Sequence, residues 1–448
     1  MNSPAPPPSS SKAPLGTLRA LWPFVRRHRG LFVAWLVALA ASSTATLSLP
    51  LAFRTMIDQG FAAGGDGMGG AAIDRAFVLL FLVAVALALA TAARFFFVSL
   101  LGERVVADLR ERLYAHLMGL DAGFHDRNRS GELVSRLTAD AELLRSVVGS
   151  SMSVALRSTV TVTGSLAMLF VTSPRLAAYA LVGIPLAVLP IVLGGRRLQK
   201  ISRSAQDRVA DANALASETL GAVRTVQAHA REPYERGRFA QALATAVDTA
   251  RRRIQAQAWV TAIAITLIFG AITLVLWSGA HDVIAGRMTA GTLGQFVLYA
   301  LIGGGSVGAL AEVFNELQRA AGGMGRIAEL LQAAPGVQAP ASPRALPTPP
   351  RGEIELDRVT FHYPMRPDAP ALEQFSLRVR PGETVALVGP SGAGKSTVFR
   401  LLLRFYDPQT GLVSVDGVDV RQADPVEVRN RFAWVSQETP LFSGSALE

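Results

Sequence analysis

Long apolar runs alternate with polar segments over the first three quarters of the chain. A helix needs about 20 apolar residues to cross a bilayer. Six runs reach that length: 31–53, 76–101, 152–173, 176–195, 258–279 and 291–311. Their internal polar residues are mainly Ser, Thr, Gly and Pro, which transmembrane helices tolerate. The pattern therefore predicts an all-α membrane domain of six spans within residues 16–332.

The two long polar segments between spans also have a helical pattern. RVVADLRERLYAHLMGL and RVADANALASETLGAVRTVQAHA carry apolar residues three and four positions apart. We expect them to extend the spans as long helices into the cytoplasm. Their tips, GFHDRNRSGELVSRLTAD and AHAREPYERGRF, are polar and compact. These charges indicate either a solvated helix surface or tips that dock on a cytoplasmic domain and transmit motion to the spans.

Basic residues predict the orientation of the spans. They concentrate before the first span and in the two long loops, whereas the three short loops hold few. Because cytoplasmic loops carry the excess of Lys and Arg, both termini and both long loops are predicted to be cytoplasmic. This places a multi-pass protein in the cell's inner membrane. It also accounts for the formal net charge of +10 without a nucleic-acid partner.

The N-terminal 30 residues divide into two parts. Residues 1–15, rich in Pro and Ser, are predicted to be disordered and lack the features of a signal peptide. TLRALWPFVRRHRG interleaves apolar residues with arginines, which predicts an interfacial helix over 16–30 with its apolar side among lipid headgroups. An ordinary soluble amphipathic helix is the alternative.

A change of composition follows the last span. Residues 333–351 are rich in proline and predict a linker, so a second domain is expected over 352–448. IELDRVTFHYP alternates like a strand, and FSLRVRPGETVALVGP predicts two strands joined at Pro381-Gly382. FAWVSQ, at 432–437, is typical of a buried strand. The fold class is thus a multi-domain membrane protein with a partial α/β P-loop domain behind six helices.

Residues 389–396, GPSGAGKS, match G-x-x-x-x-G-K-S/T, with a predicted strand before and a helical pattern after. Such a loop turns backbone N–H groups and a helix N-terminus toward phosphate. Lys395 is expected to neutralise the β/γ oxygens, Ser396 to ligate Mg²⁺, and Thr397 to bond near the α-phosphate. The predicted ATP-binding residues here are Gly389, Pro390, Ser391, Gly392, Ala393, Gly394, Lys395, Ser396 and Thr397.

Two weaker signals gain meaning from this loop. Tyr363 lies at a predicted strand end, where its ring can stack on a purine, although alone it would be a packing aromatic. Gln437 ends FAWVSQ and is predicted to reach Mg²⁺ or the attacking water, as a metal-binding and catalytic residue. An isolated glutamine would carry no such meaning.

Other chemistry is limited by composition. The chain has no cysteine, which excludes disulfides and thiolate sites, and its six histidines are scattered without metal-ligand spacing. The spans hold almost no charge at mid-depth: Arg94 and Arg157 lie toward cytoplasmic ends, and Glu312 and Glu316 lie past the inner half of the last span. Since buried charge marks polar-substrate paths, this favours an apolar or amphipathic cargo.

From about residue 16 onward, the chain resembles the ATP-binding-cassette exporters that fuse six membrane helices to a nucleotide-binding domain, the lipid flippases and multidrug exporters. The motifs are GPSGAGKST, the upstream Tyr363, VSQETPLFSG as glutamine loop, FHDRNRSGELVSRLTAD and TVQAHAREPYERGRF as coupling loops, and AGTLGQFVLYA at the last span. The resemblance implies pairing with a second half-transporter subunit, identical or different. It also implies ATP-driven closure that moves the membrane halves to export an amphipathic, lipid-like or drug-like substrate.

One departure from the family qualifies this expectation. The family's signature sequence, catalytic glutamate and switch histidine do not occur before Glu448. The chain as given is therefore expected to hold half an ATP site without competence for hydrolysis, as a fragment, an incomplete gene model or a natural remnant. The alternative function is a membrane subunit that binds ATP without hydrolysing it. A channel and an importer are both less favoured.

Overall fold

The computed structural model describes residues 15–60 and 69–437, without the side chains of 15, 59, 60, 69–73, 180–192 and 196. The predicted disordered segment 1–15 falls almost entirely outside these residues, as does the end of the predicted glutamine loop, 438–444. The chain divides into two compact units. One comprises Met1–Phe32, Val98–Ser151 and Phe314–Glu448, and the other Val33–Phe97 and Met152–Val313.

Most of the chain is helical. A 3₁₀ turn at Leu15–Leu21 precedes these helices: α1 (Trp22–Arg27), α2 (Arg29–Gly60), α3 (Gly69–Met118), α4 (Ala122–Arg127), α5 (Ser130–Ser135), α6 (Ala141–Ser146), α7 (Met152–Thr172), α8 (Pro174–Gly221), α9 (Val223–Ala228), α10 (Glu232–Ile284), α11 (Ala290–Gln332), α12 (Lys395–Leu402) and α13 (Pro425–Arg429). Two π-helical turns, Arg136–Asp140 and Val147–Ser151, flank α6.

Within the described residues, five helical segments are long and apolar enough to span a membrane. They are Arg29–Asp58, Asp74–Met118, Ser130–Thr172, Glu232–Ile284 and Ala290–Gln332. The predicted span 176–195 lies inside α8, and most of its side chains fall outside the description. Large apolar side chains on these helices are exposed, among them Phe81, Leu89 and Phe269. Lipid removes the cost that such exposure carries in water.

The predicted cytoplasmic extensions are helical, as expected. α3 continues past its apolar stretch to Met118. α8 continues to Gly221, and α9 begins two residues later at Val223. In the first unit, Leu101, Leu109 and Leu113 of α3 are fully buried against Leu144 and Ile327. This apolar core fixes the short helices α4 to α6 beside the end of α11.

The sheet of the first unit has four antiparallel strands in the order β2-β1-β3-β4. They are β1 (Ile354–Phe361), β2 (Leu372–Val379), β3 (Thr410–Val415) and β4 (Val418–Asp419). Leu356, Val359 and Phe361 of β1 pack with Val398 and Leu401 of α12, so the helix after the glycine loop covers this sheet. The strands predicted at IELDRVTFHYP and FSLRVR are thus confirmed.

Two further predicted strands are wrong. Residues 383–388, expected as the strand that enters the glycine loop, have no ladder partner among the described residues, and Val388 is 89% exposed. FAWVSQ, expected as a buried strand, is also without a ladder, and Val435 is 86% exposed. Their composition is typical of strands, but a strand forms only where a partner supplies its hydrogen bonds.

Candidate functional site

The glycine loop at 389–394 leads directly into the N-terminus of α12. Gly392 and Gly394 have φ of +84° and +83°, which L-residues rarely adopt. A Cβ on Gly394 would also collide with the carbonyl oxygen of Ala371 and lie 2.8 Å from the side chain of Leu372. Only glycine therefore fits this position. Residues 389–393 are exposed, so the loop is accessible to a ligand.

Lys395 places its ammonium group over this loop. Its Nζ donates hydrogen bonds to the carbonyl oxygens of Gly389 and Pro390, both at 2.8 Å. Gly394 caps α12 without a side-chain hydrogen bond, which leaves the helix N-terminus to attract an anion. A positive charge, a helix N-terminus and an exposed glycine loop with positive φ angles together fit the phosphate chain of a nucleotide.

Tyr363 lies beside α12, as the nucleotide-site prediction requires. Its hydroxyl is 3.0 Å from the Oγ1 of Thr397, which is buried, and it accepts a 3.3 Å bond from Arg400. The Tyr363 ring packs against Phe361 and Tyr406, with centroid distances of 4.9 and 5.5 Å. The structure thus places Tyr363 against the first turns of α12, which follow the glycine loop. Purine stacking by Tyr363 stays a prediction.

Ser396 and Gln437 line the same cavity, of about 540 Å³. Phe399 and Trp434 contribute aromatic walls, with ring centroids 5.7 Å apart. Among the described residues, no group of three His, Asp or Glu side chains forms a metal site. Mg²⁺ would therefore depend on the oxygens of Ser396, Gln437 and the nucleotide itself, a donor set of the kind that Mg²⁺ prefers.

The first predicted coupling loop contacts the nucleotide segment within the same unit. The Tyr406 hydroxyl donates a hydrogen bond to the Asp126 carboxylate of α4, and the Tyr406 ring lies against Gly123. Burial, followed by this hydrogen bond, raises the pKa of Tyr406 above its usual range, so its phenol remains a donor at neutral pH. Tyr363 and Tyr406 thereby connect α12 to α4.

Asp121 forms a second connection to this loop. Its carboxylate caps α4 through the N–H of Phe124 at 2.7 Å. The same carboxylate accepts from the N–H groups of Gly336 and Val337, at the start of the predicted linker. Sequence reasoning missed Asp121, Asp126 and Tyr406 as site residues, because their partners lie hundreds of positions away and no local motif indicates such contacts.

Two family models match the chain. The model described as ABC transporter transmembrane region matches residues 32–307, and the one described as ABC transporter matches residues 372–448. The first match covers more than half of the chain. The second includes the glycine loop, α12 and Gln437.

Individual relatives match almost the whole chain. Mitochondrial ATP-binding cassette sub-family B member 10 of Mus musculus is 34% identical over 98% of this chain and 62% of its own length. ABC transporter B family member 1 of Dictyostelium discoideum is 30% identical over 96% of this chain and 46% of its own. A putative export ATP-binding/permease protein of Rickettsia bellii is 28% identical, over 92% and 70%.

The chain thus spans about half to two thirds of the length of these two eukaryotic relatives. A helical membrane region precedes a nucleotide-binding segment in one polypeptide, and the family matches follow that order. The chain is therefore a multi-pass membrane protein that belongs to the ABC transporter family.

Proposed function

We propose that the protein is a half-transporter that exports an amphipathic, lipid-like or drug-like substrate across the cytoplasmic membrane at the expense of ATP. The observation that carries this proposal is the glycine cradle over which Lys395 lies, connected through Tyr363 and Tyr406 to α4. Related chains named as export permeases support the direction of transport.

Each site residue has a role in this proposal. Lys395 and the N–H groups of residues 389–397 bind the phosphates, Tyr363 holds the purine, and Ser396 and Gln437 hold Mg²⁺. Gln437 also orients the attacking water. Bound ATP supplies a phosphoanhydride bond whose hydrolysis releases the free energy for transport. The chain's own contribution is to bind and orient this group and to pass its presence to α4.

A second half-transporter subunit completes the proposed assembly, because the family's nucleotide domains act as pairs. The basic loops support an inner-membrane protein with both termini and the nucleotide segment in the cytoplasm. Membrane lipid surrounds the exposed apolar side chains of α3 and α10. Residues 16–332 form the proposed membrane domain, 333–351 the linker and 352–448 the nucleotide-binding segment.

The test measures ATP hydrolysis in proteoliposomes. It compares the full-length protein, as expressed from its gene, with the Lys395→Ala variant of that protein. Removing the ammonium group should reduce turnover by about 100-fold or more, because the phosphates then lose their main cation. Arg351→Ala, which removes an exposed charge at the predicted linker, is the matched control and should leave turnover unchanged. Undiminished turnover in Lys395→Ala would refute the site.

The same measurement tests the alternative function, a membrane subunit that binds ATP without hydrolysing it. If the intact protein binds ATP but shows no turnover above background, it acts as an ATP-binding regulatory membrane subunit instead of a pump. Binding is measured in parallel with a fluorescent ATP analogue, so that the two activities are scored on one sample.

A further inference from the structure

The predicted linker, residues 333–351, lies wholly within the described residues and contains no helix or strand, but specific contacts hold it along its length. Near its C-terminal end, Leu346 is 3% exposed and belongs to the apolar core that joins the sheet to α12. The N–H of Leu346 donates to the Glu427 carboxylate of α13 at 2.9 Å. Arg431 donates from Nη2 to the carbonyl oxygen of Pro347 at 3.1 Å. This end of the linker is therefore packed as part of the nucleotide-binding segment.

The middle of the linker is bound by a buried arginine that follows α12. Arg404 is 3% exposed and donates from Nη2 to the carbonyl oxygen of Gln338 at 3.1 Å. Its Nη1 donates to the carbonyl oxygen of Ala423 at 2.8 Å, so one guanidinium holds the linker and the segment after β4 together. The N–H of Arg344 also donates to the carbonyl oxygen of Gln422, at 2.7 Å. Because hydrogen bonds from a charged donor are strong, the linker should move with the nucleotide-binding segment from Gln338 onward.

The first residues of the linker are bound by Asp121, whose two carboxylate oxygens have different partners. Oδ1 accepts from the N–H of Phe124 at 2.7 Å and caps α4. Oδ2 accepts from the N–H groups of Gly336 and Val337. A Cβ on Gly336 would lie 2.5 Å from Oδ2, so the linker approaches this closely only because residue 336 is glycine. One side chain thus holds both the coupling helix and the start of the linker.

We propose that Asp121 is a positioning residue that joins the linker to α4 and passes nucleotide-dependent motion of the linker to this helix, an inference that rests on the proposed ATP-driven export. Val337 and Gln338 are consecutive, so the residue that Arg404 holds lies next to one that Asp121 holds. A displacement of the residues after α12 therefore reaches α4 through one peptide unit and the hydrogen bonds on either side of it. This connection runs through the backbone of the linker and is separate from the side-chain contact between Tyr406 and α4.

Two substitutions break the contact between the linker and α4 from opposite sides. Asp121→Ser keeps a good helix N-cap for α4 but removes the second oxygen, so the N–H groups of Gly336 and Val337 lose their acceptor. Gly336→Ala displaces the linker with its new Cβ, while Asp121 still caps α4. Gly325→Ala, in α11, is the matched control, since a Cβ there would meet nothing within 4 Å.

The test measures amide hydrogen exchange in the full-length protein, as expressed from its gene, in detergent micelles with and without Mg²⁺ and a non-hydrolysable ATP analogue. Without nucleotide, the N–H groups of residues 336 and 337 should exchange about tenfold faster in Asp121→Ser, because their hydrogen bonds to a carboxylate are lost. The analogue should slow exchange in α4 of the unmodified protein several-fold. This response should fall at least threefold in Asp121→Ser and in Gly336→Ala, and remain complete in Gly325→Ala. Affinity for the analogue should change less than twofold in all three variants.

Lys395→Ala separates this proposal from the nucleotide site. This variant should lose analogue binding and the α4 response together, while its linker keeps the exchange rates of the unmodified protein. If the unmodified protein does not bind the analogue, the proposed function fails and this inference fails with it.

Two further results would overturn the inference and leave the nucleotide site intact. The first is an α4 response of unaltered size in both Asp121→Ser and Gly336→Ala. The second is an unmodified protein that binds the analogue without any change of exchange in α4.

Discussion

Two glycines hold the phosphate-binding loop in a backbone conformation that other residues disfavour. Gly392 and Gly394 share nearly the same positive φ, but a Cβ at Gly392 would meet open space, whereas one at Gly394 would meet Ala371 and Leu372. The loop motif alone predicted that glycine was needed here. The motif did not indicate which glycine also lacks space for a Cβ, because that space depends on where the first residues of β2 lie in the fold.

This difference gives a prediction at the residue scale. Gly392→Ala should weaken ATP-analogue binding moderately, by about tenfold, because only backbone strain of roughly 1–2 kcal/mol is added. Gly394→Ala should abolish binding of the ATP analogue, because the new Cβ would add a collision with the carbonyl oxygen of Ala371 to the same backbone strain. Fluorescence titration of both purified variants checks this order. Equal losses in the two variants would contradict it.

Tyr363 gives a second prediction at this scale. Tyr363→Ala should weaken ATP binding by about 5- to 150-fold, because stacking of a base on an aromatic ring is worth about 1–3 kcal/mol. Tyr363→Phe keeps the ring and loses only the hydroxyl's contacts with Thr397 and Arg400, so its affinity for ATP should fall by less than about fivefold. Titration with ATP and with inorganic triphosphate separates stacking from phosphate binding. Unaltered ATP affinity in Tyr363→Ala would exclude a purine-binding role.

At the scale of elements, local sequence predicted those parts of the chain whose structure depends on local contacts. Five of the six predicted spans coincide with long apolar helices of the described residues, and the helical extensions, β1, β2 and α12 also appear in the structure. Residues 383–388 and 432–436 have strand composition but no ladder, because pairing is a property of two segments. The Asp126–Tyr406 contact joins residues 280 positions apart, a distance over which no sequence pattern acts.

The contact between α4 and Tyr406 leads to a prediction about coupling. Tyr406→Phe removes the hydroxyl that donates to Asp126 and keeps the packed ring, so ATP affinity should change less than twofold. Substrate-stimulated ATP hydrolysis should fall several-fold, because α4 then responds less to the nucleotide site. Asp126→Asn should have a similar effect, and the double variant should be no worse than either. Additive losses would mean that the residues act independently.

The pH dependence of this contact follows from the raised pKa of Tyr406. An acid whose pKa is higher in the folded state contributes stability that is fully present below its unfolded value, about 10 for tyrosine. That contribution is lost only as pH rises through the folded value. Substrate stimulation through Tyr406 should therefore be unchanged between pH 7 and 9.

At the scale of the whole molecule, the sequence predicts an orientation in the membrane that single-residue labelling can test. The chain contains no cysteine, so one introduced cysteine is the only reactive thiol. Ala285, after α10, and Ala228, at the end of α9, are both exposed alanines and form a matched pair. The distribution of basic residues predicts that the first lies outside the cell and the second in the cytoplasm.

A membrane-impermeant maleimide should label Ala285→Cys in intact cells. Ala228→Cys should react only after the membrane is permeabilised, although its side chain is also exposed in the protein. Labelling of Ala228→Cys from outside would reverse the orientation and move the nucleotide segment out of reach of cytoplasmic ATP.

The central claim is that the glycine cradle before α12 binds ATP, and that Lys395 carries much of that affinity. Equilibrium titration of the purified chain with a fluorescent ATP analogue, displaced by unlabelled ATP, tests it most directly. The unmodified chain should bind and release the analogue competitively, and Lys395→Ala should bind at least about tenfold more weakly. Equal affinity of the two proteins, or no binding by the unmodified chain, would contradict the account.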